Sequence, residues 1–175
     1  MSATAFRLTR LCLLCAVLAA GAAGAAPVAA DSGLPVPRFV TLGSDRVNVR
    51  AGPGTQYPVE WIFVRRAMPV EIVDEFDTWR RIRDRDGAEG WVHQSLLSGR
   101  RGAVVLGDGP QPLRADPEPA AEPVARAEPG VFGRLLRCPP PETEGGAWCY
   151  VDLGGYRGWM PRGSLWGVYP SEEVR

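Results

Sequence analysis

The sequence predicts an all-β chain that carries the same small unit twice behind an N-terminal leader. Three observations predict it. The 175 residues include 21 glycines and 17 prolines, a turn-rich composition that favours short strands over long helices. Beyond the leader no window keeps a helical apolar period of useful length. The stretch Trp79-Arg80-Arg81-Ile82 followed by Gly90-Trp91-Val92 returns as Trp148-Cys149-Tyr150-Val151 followed by Gly158-Trp159-Met160, and Val47-Asn48-Val49-Arg50 has an echo in Gln111-Pro112-Leu113-Arg114.

The leader occupies residues 1–30. Arg7 and Arg10 precede the apolar run Leu11–Ala20, and small residues follow, the pattern of a secretory signal with cleavage after Ala25 or Ala30. The run is shorter than the roughly 20 residues a membrane-spanning helix needs, so no integral membrane segment is expected after cleavage. Cys15 follows Leu14 where a lipid-modified cysteine would follow a small residue, so Cys12 and Cys15 are taken as part of the apolar run. A periplasmic or secreted location is the expectation. Cleavage removes Arg7, Arg10 and no acid, which takes the balance of 20 basic and 20 acidic residues to a net −2.

A flexible segment is expected over 31–39, then a first unit over 40–99. Val47 to Arg50 alternates apolar and polar and runs into Ala51-Gly52-Pro53-Gly54, a turn. Trp61–Val64 and Val70–Val73 are β-branched and aromatic runs split by Ala67-Met68-Pro69. Trp79–Arg83 and Ala88–Val92 flank Asp84-Arg85-Asp86-Gly87, whose Asp-Gly pair signals a hairpin. Trp79 and Ile82 fall on opposite faces under strict alternation, so a bulge or a strand edge is expected at the tryptophan. Ser95-Leu96-Leu97 predicts a 3₁₀ turn. Five short strands with tight turns make a small barrel or sandwich. A second, divergent unit is expected over 103–169, with a tail over 170–175.

All 20 basic residues are arginine, which excludes Schiff-base chemistry, a lysine base and a Walker-type phosphate loop. The zero formal charge removes the footprint of a general nucleic-acid binder. One histidine and no paired Cys-x-x-Cys or His-Glu-x-x-His spacing leave no metal site, and no cofactor is implied. Cys138 and Cys149 are an even pair in a chain read as exported, bracketing a Pro-Gly loop, and are expected to form a disulfide. A serine or cysteine nucleophile would need His93 as base, and His93 occupies the turn position held by Pro161 in the second unit, so no catalytic residue is nominated. Arg80, Arg81, Arg83 and Arg85, with acids around them, predict a solvated strand face with cross-strand ion pairs. The rival reading is an arginine face gripping peptide carboxylates. The six prolines of Pro110–Pro129 predict an extended loop.

Val-Asn-Val-Arg with Ala-Gly-Pro-Gly at Val47–Gly54, the Trp-led strand at Trp79, Gly90-Trp91-Val92 and Ser95-Leu96-Leu97 resemble the bacterial SH3 (SH3b) domain family. The second unit departs, with Leu113-Arg114-Ala115-Asp116-Pro117 in place of the Gly-rich turn and a longer Pro-rich loop before Trp148; it is similar to the partner repeat of tandem SH3-like proteins exported by alphaproteobacteria. The resemblance implies two tandem SH3-like five-stranded small barrels. It also implies a non-enzymatic module that binds a cell-wall peptide, such as the peptidoglycan stem peptide, or an envelope protein. A structural or accessory subunit of an envelope complex is the alternative, and a cell-wall hydrolase a remote one. By analogy with SH3-type aromatic grooves, Tyr57, Trp61 and Trp91 are the ligand-groove candidates of the first unit, and Tyr156 and Trp159 those of the second.

Overall fold

The computed structural model describes residues 32–175, so the leader lies outside the described residues. Among the described residues no helix is long and apolar enough to cross a membrane. The chain folds into two antiparallel sheets built to one plan. The first contains β1 (Arg38–Leu42), β2 (Val47–Arg50), β3 (Val59–Phe63), β4 (Pro69–Phe76), β5 (Trp79–Arg83), β6 (Glu89–His93) and β7 (Leu97–Ser98), in the order β3-β2-β6-β5-β4-β1-β7. The second contains β8 (Gly102–Val105), β9 (Gln111–Arg114), β10 (Pro123–Ala127), β11 (Phe132–Arg137), β12 (Trp148–Leu153), β13 (Tyr156–Pro161) and β14 (Leu165–Trp166), in the order β10-β9-β13-β12-β11-β8-β14. Each element of the first sheet has its counterpart at the same place in the second. The two-barrel, all-β plan is the one the sequence predicts. Each sheet adds two strands to the predicted five: an opening strand (β1, β8) and a two-residue closing strand (β7, β14).

Alternation builds the cores. Val47 and Val49 on β2, Val70 and Ile72 on β4, Ile82 on β5 and Val92 on β6 point inward and are buried, forming the first core with Val40 and Leu42. Leu113, Val151 and Met160 occupy matching places in the second, with Ala103, Val105 and Leu135. Gly90 lies between strands where a Cβ would run into the Val49 side chain and come within 3.1 Å of Trp61, so this close approach requires glycine. The turn after β6 is a 3₁₀ helix, η1 (Gln94–Leu96), and β13 is followed by its equivalent η2 (Arg162–Ser164).

The expected irregularity near Trp79 is resolved by the neighbouring strand. Trp79 is the first residue of β5, and the bulge sits opposite, between Ile72 and Asp74 of β4. Trp79 and Arg80 are both buried, Arg80 on the same face as Ile82, and the fully solvated arginine face is corrected at Arg80, which is 5% exposed. Its guanidinium bonds the carbonyls of Asp77 and Trp79, Gln94 Oε1 at 2.6 Å and the Glu75 carboxylate at 3.1 Å. Arg81 and Arg83 keep to the partly solvated face, with Glu89 at 2.8 Å and Glu71 at 2.7 Å.

The barrels dock through a short linker, Gly99–Arg101. Phe39 of β1 packs edge-on to Trp166 at 5.1 Å and against Tyr169 at 4.7 Å, while Tyr169 donates its hydroxyl hydrogen to Glu71 at 2.6 Å. Arg101 pairs with Glu172 and donates to the Gly167 carbonyl. The last residues return to the second barrel, where Val174 and Cys138 exchange backbone hydrogen bonds.

Candidate functional site

Cross-strand register places one row of side chains across five strands on the outer face of each barrel. In the first the row is Val59, Arg50, Trp91, Arg81, Asp74; in the second it is Pro123, Arg114, Trp159, Tyr150, Arg137. Directly paired residues share a face, so each row is a continuous strip about 19 Å long, four interstrand steps. Trp91 is the centre of the first strip and Trp159 of the second.

The arginine beside each tryptophan braces a loop. Arg50 Nη1 donates to the Tyr57 carbonyl at 2.7 Å and the Thr55 carbonyl at 3.2 Å, and Arg114 Nη1 donates to the Ala121 carbonyl at 2.5 Å. The same residue at the end of the same strand holds the β2–β3 loop and the β9–β10 loop in shape. Sequence reasoning did not nominate this pair; its signal was the matched arginine closing both repeat motifs.

The two strips differ in what covers the indole. Trp159 is 8% exposed, with the Tyr150 ring at 5.2 Å and the Arg137 guanidinium over its face at 4.9 Å. Trp91 is half-buried, and its neighbours Arg50 and Arg81 turn their charged heads to the loop carbonyls and to Glu89. The aromatic surface is therefore available on the first barrel and covered on the second.

The other candidates fall in separate places. Tyr57 is exposed on the β2–β3 loop with its ring laid on Gly52, where a Cβ would come within 2.5 Å of it. Arg50 links Tyr57 and Trp91, pairing with one across the sheet and holding the carbonyl of the other. Trp61 pairs with Val49, so it lies on the inner face of edge strand β3, opposite Trp91, edge-on to Phe63 at 6.3 Å. Tyr156 is 64% exposed and pairs with Leu153 at the start of β13; three residues from Trp159, it lies on the other face. The structure thus brings Tyr57 and Trp91 to the two sides of one arginine and separates Trp61, Tyr156 and Trp159 from them. In the second barrel Ala125 holds the register position of Trp61.

His93 caps η1. Its Nδ1 accepts from the Ser95 amide at 3.3 Å, lies 2.7 Å from Ser95 Oγ, and the ring stands edge-on to Trp79 at 5.5 Å. This is the geometry of a turn cap between residues two apart, and Pro161 holds the same place in the second barrel, paired with Trp148 as His93 is with Trp79. Among the described residues no group of three or more His, Cys, Asp or Glu side chains could hold a metal.

Cys138 and Cys149 are joined by a disulfide. Its place in the sheet has a counterpart: the pairs Arg137–Tyr150 and Asp74–Arg81 correspond, so the next position holds Cys138 and Cys149 in one barrel and Glu75 and Arg80 in the other. A covalent staple and a buried ion pair close the same seam. Burial pushes the Glu75 carboxyl up, but hydrogen bonds from the Ser32 amide and from Arg38 and Ser32 side chains outweigh it and hold it below the usual carboxylate range.

Fold and register together define the class, a tandem pair of SH3-like β-barrels. The bacterial SH3 domain model matches residues 43–99 and again 107–167, one match per barrel, and the chain belongs to that family. Bacterial SH3 domains are binding modules, not catalytic domains. No curated protein matches the chain. Among solved structures it is similar to NlpC2 from Trichomonas vaginalis, with 12% identity and a TM-score of 0.33 over 75% of this chain and 48% of that one. NlpC1 from the same organism gives 12% and 0.33 over 79% and 48%, and an NlpC/P60 family protein from Bacillus cereus ATCC 10987 gives 11% and 0.32 over 73% and 55%. The chain spans about half the length of these structures, and likeness at this level carries no argument about function.

Proposed function

We propose that the protein is a non-enzymatic binding module of the cell envelope, delivered to the periplasm or beyond by its leader, that recognises peptidoglycan stem peptide or an envelope protein through the outer face of the first barrel. The observation that carries the reading is the half-open Trp91, set between two arginines and beside the Arg50-braced loop that presents Tyr57. Membership of both barrels in a family of binding modules supports it. An indole between the arginine stems, with the Arg81 head still partly exposed beside Glu89, offers an apolar face and a guanidinium edge in one strip. In this reading the second barrel, whose Trp159 is covered, has a supporting role. The test is retention of residues 31–175 on purified sacculi. The intact protein should be retained and Trp91→Ala should lose most of that retention; no retention of the intact protein sinks the cell-wall reading. A single protein adduct after crosslinking in cells, without sacculus retention, would place the ligand among envelope proteins.

A further inference from the structure

We propose that the junction between the barrels is a second binding site, for an acidic peptide segment with aliphatic side chains. It uses none of the aromatic residues of the proposed function, so either reading can fail alone. A cleft of about 540 Å³ opens where the linker meets β11, lined by Arg100, Arg101, Arg134 and Arg175 around Leu136 and Val174. A second of about 380 Å³ continues past Arg100 to Arg66, and a third of about 270 Å³ holds Arg65 and Arg85 beside Met68 and Phe132.

Seven arginines line these clefts, and among the described residues no acid does. Residues 31–175 hold two more acids than arginines, so this is a local concentration of one sign against the balance of the chain. Several of the seven have internal partners: Arg101 pairs with Glu172, Arg175 with Glu173, and Arg66 donates to the Gly43 carbonyl. The Arg101 Nε hydrogen is nevertheless buried without an acceptor. Arg134 faces Asp152 across the strand and interacts with it through space, while the hydrogen bond to that carboxylate comes from Arg157 at 2.9 Å. Among the described residues the Arg100 guanidinium has no partner.

Guanidinium forks suit planar carboxylates. Leu136, Met68 and Phe132 set apolar surface between the charges, which favours a peptide carrying both acidic and aliphatic side chains over a uniformly hydrophilic polyanion. The test titrates the protein (residues 31–175) with a short labelled peptide alternating Glu and Leu and with its Gln-Leu analogue, following fluorescence anisotropy. The Glu peptide should bind, and the Gln analogue should bind about tenfold more weakly or worse, as expected when charge-assisted bonds are lost. Arg100→Ala combined with Arg134→Ala should lose a similar factor with an unchanged melting temperature, since both side chains are exposed. Trp91→Ala should bind as the wild type does. Equal binding of the two peptides, no binding of either, or undiminished binding by the double variant overturns the site. Tighter binding of inorganic polyphosphate than of the Glu peptide overturns the peptide assignment.

Discussion

Arg162, 8% exposed, donates to the carbonyls of Pro139, Gly146, Tyr169 and Glu172, fastening the disulfide loop and the C-terminal segment to η2. Arg162→Ala should cost about 2–4 kcal/mol in denaturant unfolding, because buried acceptors lose their donors without water to replace them. Glu75 makes a pH prediction. Its folded carboxyl titrates below the ordinary value, so the stability it contributes is present above that value and is lost as pH falls through the folded one. Between about pH 6 and pH 3 the wild type should lose stability more steeply than Glu75→Gln, read from unfolding midpoints. In the sequence Arg80 stands among arginines expected to be solvated together, yet it shares the face of Ile82 two residues on. The bulge in β4 sets Glu75 rather than Asp74 opposite it, and a bulge depends on the partner strand.

At the scale of elements, strand pairs are the units in which the repeats are alike and differ. The seam between β4 and β5 is closed by Glu75 and Arg80, and that between β11 and β12 by Cys138 and Cys149. Reduction, or Cys138→Ser with Cys149→Ser, should destabilise the second barrel by about 3 kcal/mol, since the closed loop is short and the constraint acts on the unfolded chain. Mass spectrometry under non-reducing conditions checks the pairing, and two free thiols would refute it. Most strands were legible in the sequence, because apolar alternation and turn residues are local signals. The opening strands β1 and β8 were not, since Phe-Val-Thr-Leu and Gly-Ala-Val-Val are short and become strands only by pairing with β4 and β11, nor was β10, which pairs with β9 inside the Pro110–Pro129 stretch expected as an extended loop. The tryptophan strips were half legible: Gly90-Trp91 and Gly158-Trp159 stand out, but what covers each indole comes from strands distant in sequence.

For the whole molecule, aromatic contacts and one hydrogen bond tie the two barrels together. Phe39 of the first lies between Trp166, Tyr169 and Arg101 of the second, and Tyr169 reaches Glu71. Calorimetry should show one unfolding transition for the wild type and two for Phe39→Ala; two in the wild type would refute the coupling. Burial and the Glu71 hydrogen bond both raise the affinity of the Tyr169 hydroxyl for its proton. Its contribution is therefore complete below the ordinary tyrosine value near 10 and is lost as pH climbs through the higher folded one. Tyr169→Phe should remove that part of the alkaline loss.

The all-β class, the twofold repeat, the family and the pairing expected of Cys138 with Cys149 were legible before folding is considered. All rest on short-range patterns: alternation, turn chemistry and matched spacing. Only the folded chain sets which aromatic is open, which acid meets Arg80, and that seven arginines line the clefts around the junction. Those outcomes depend on register and on the docking of one barrel against the other, and both are set by side chains far apart in the chain.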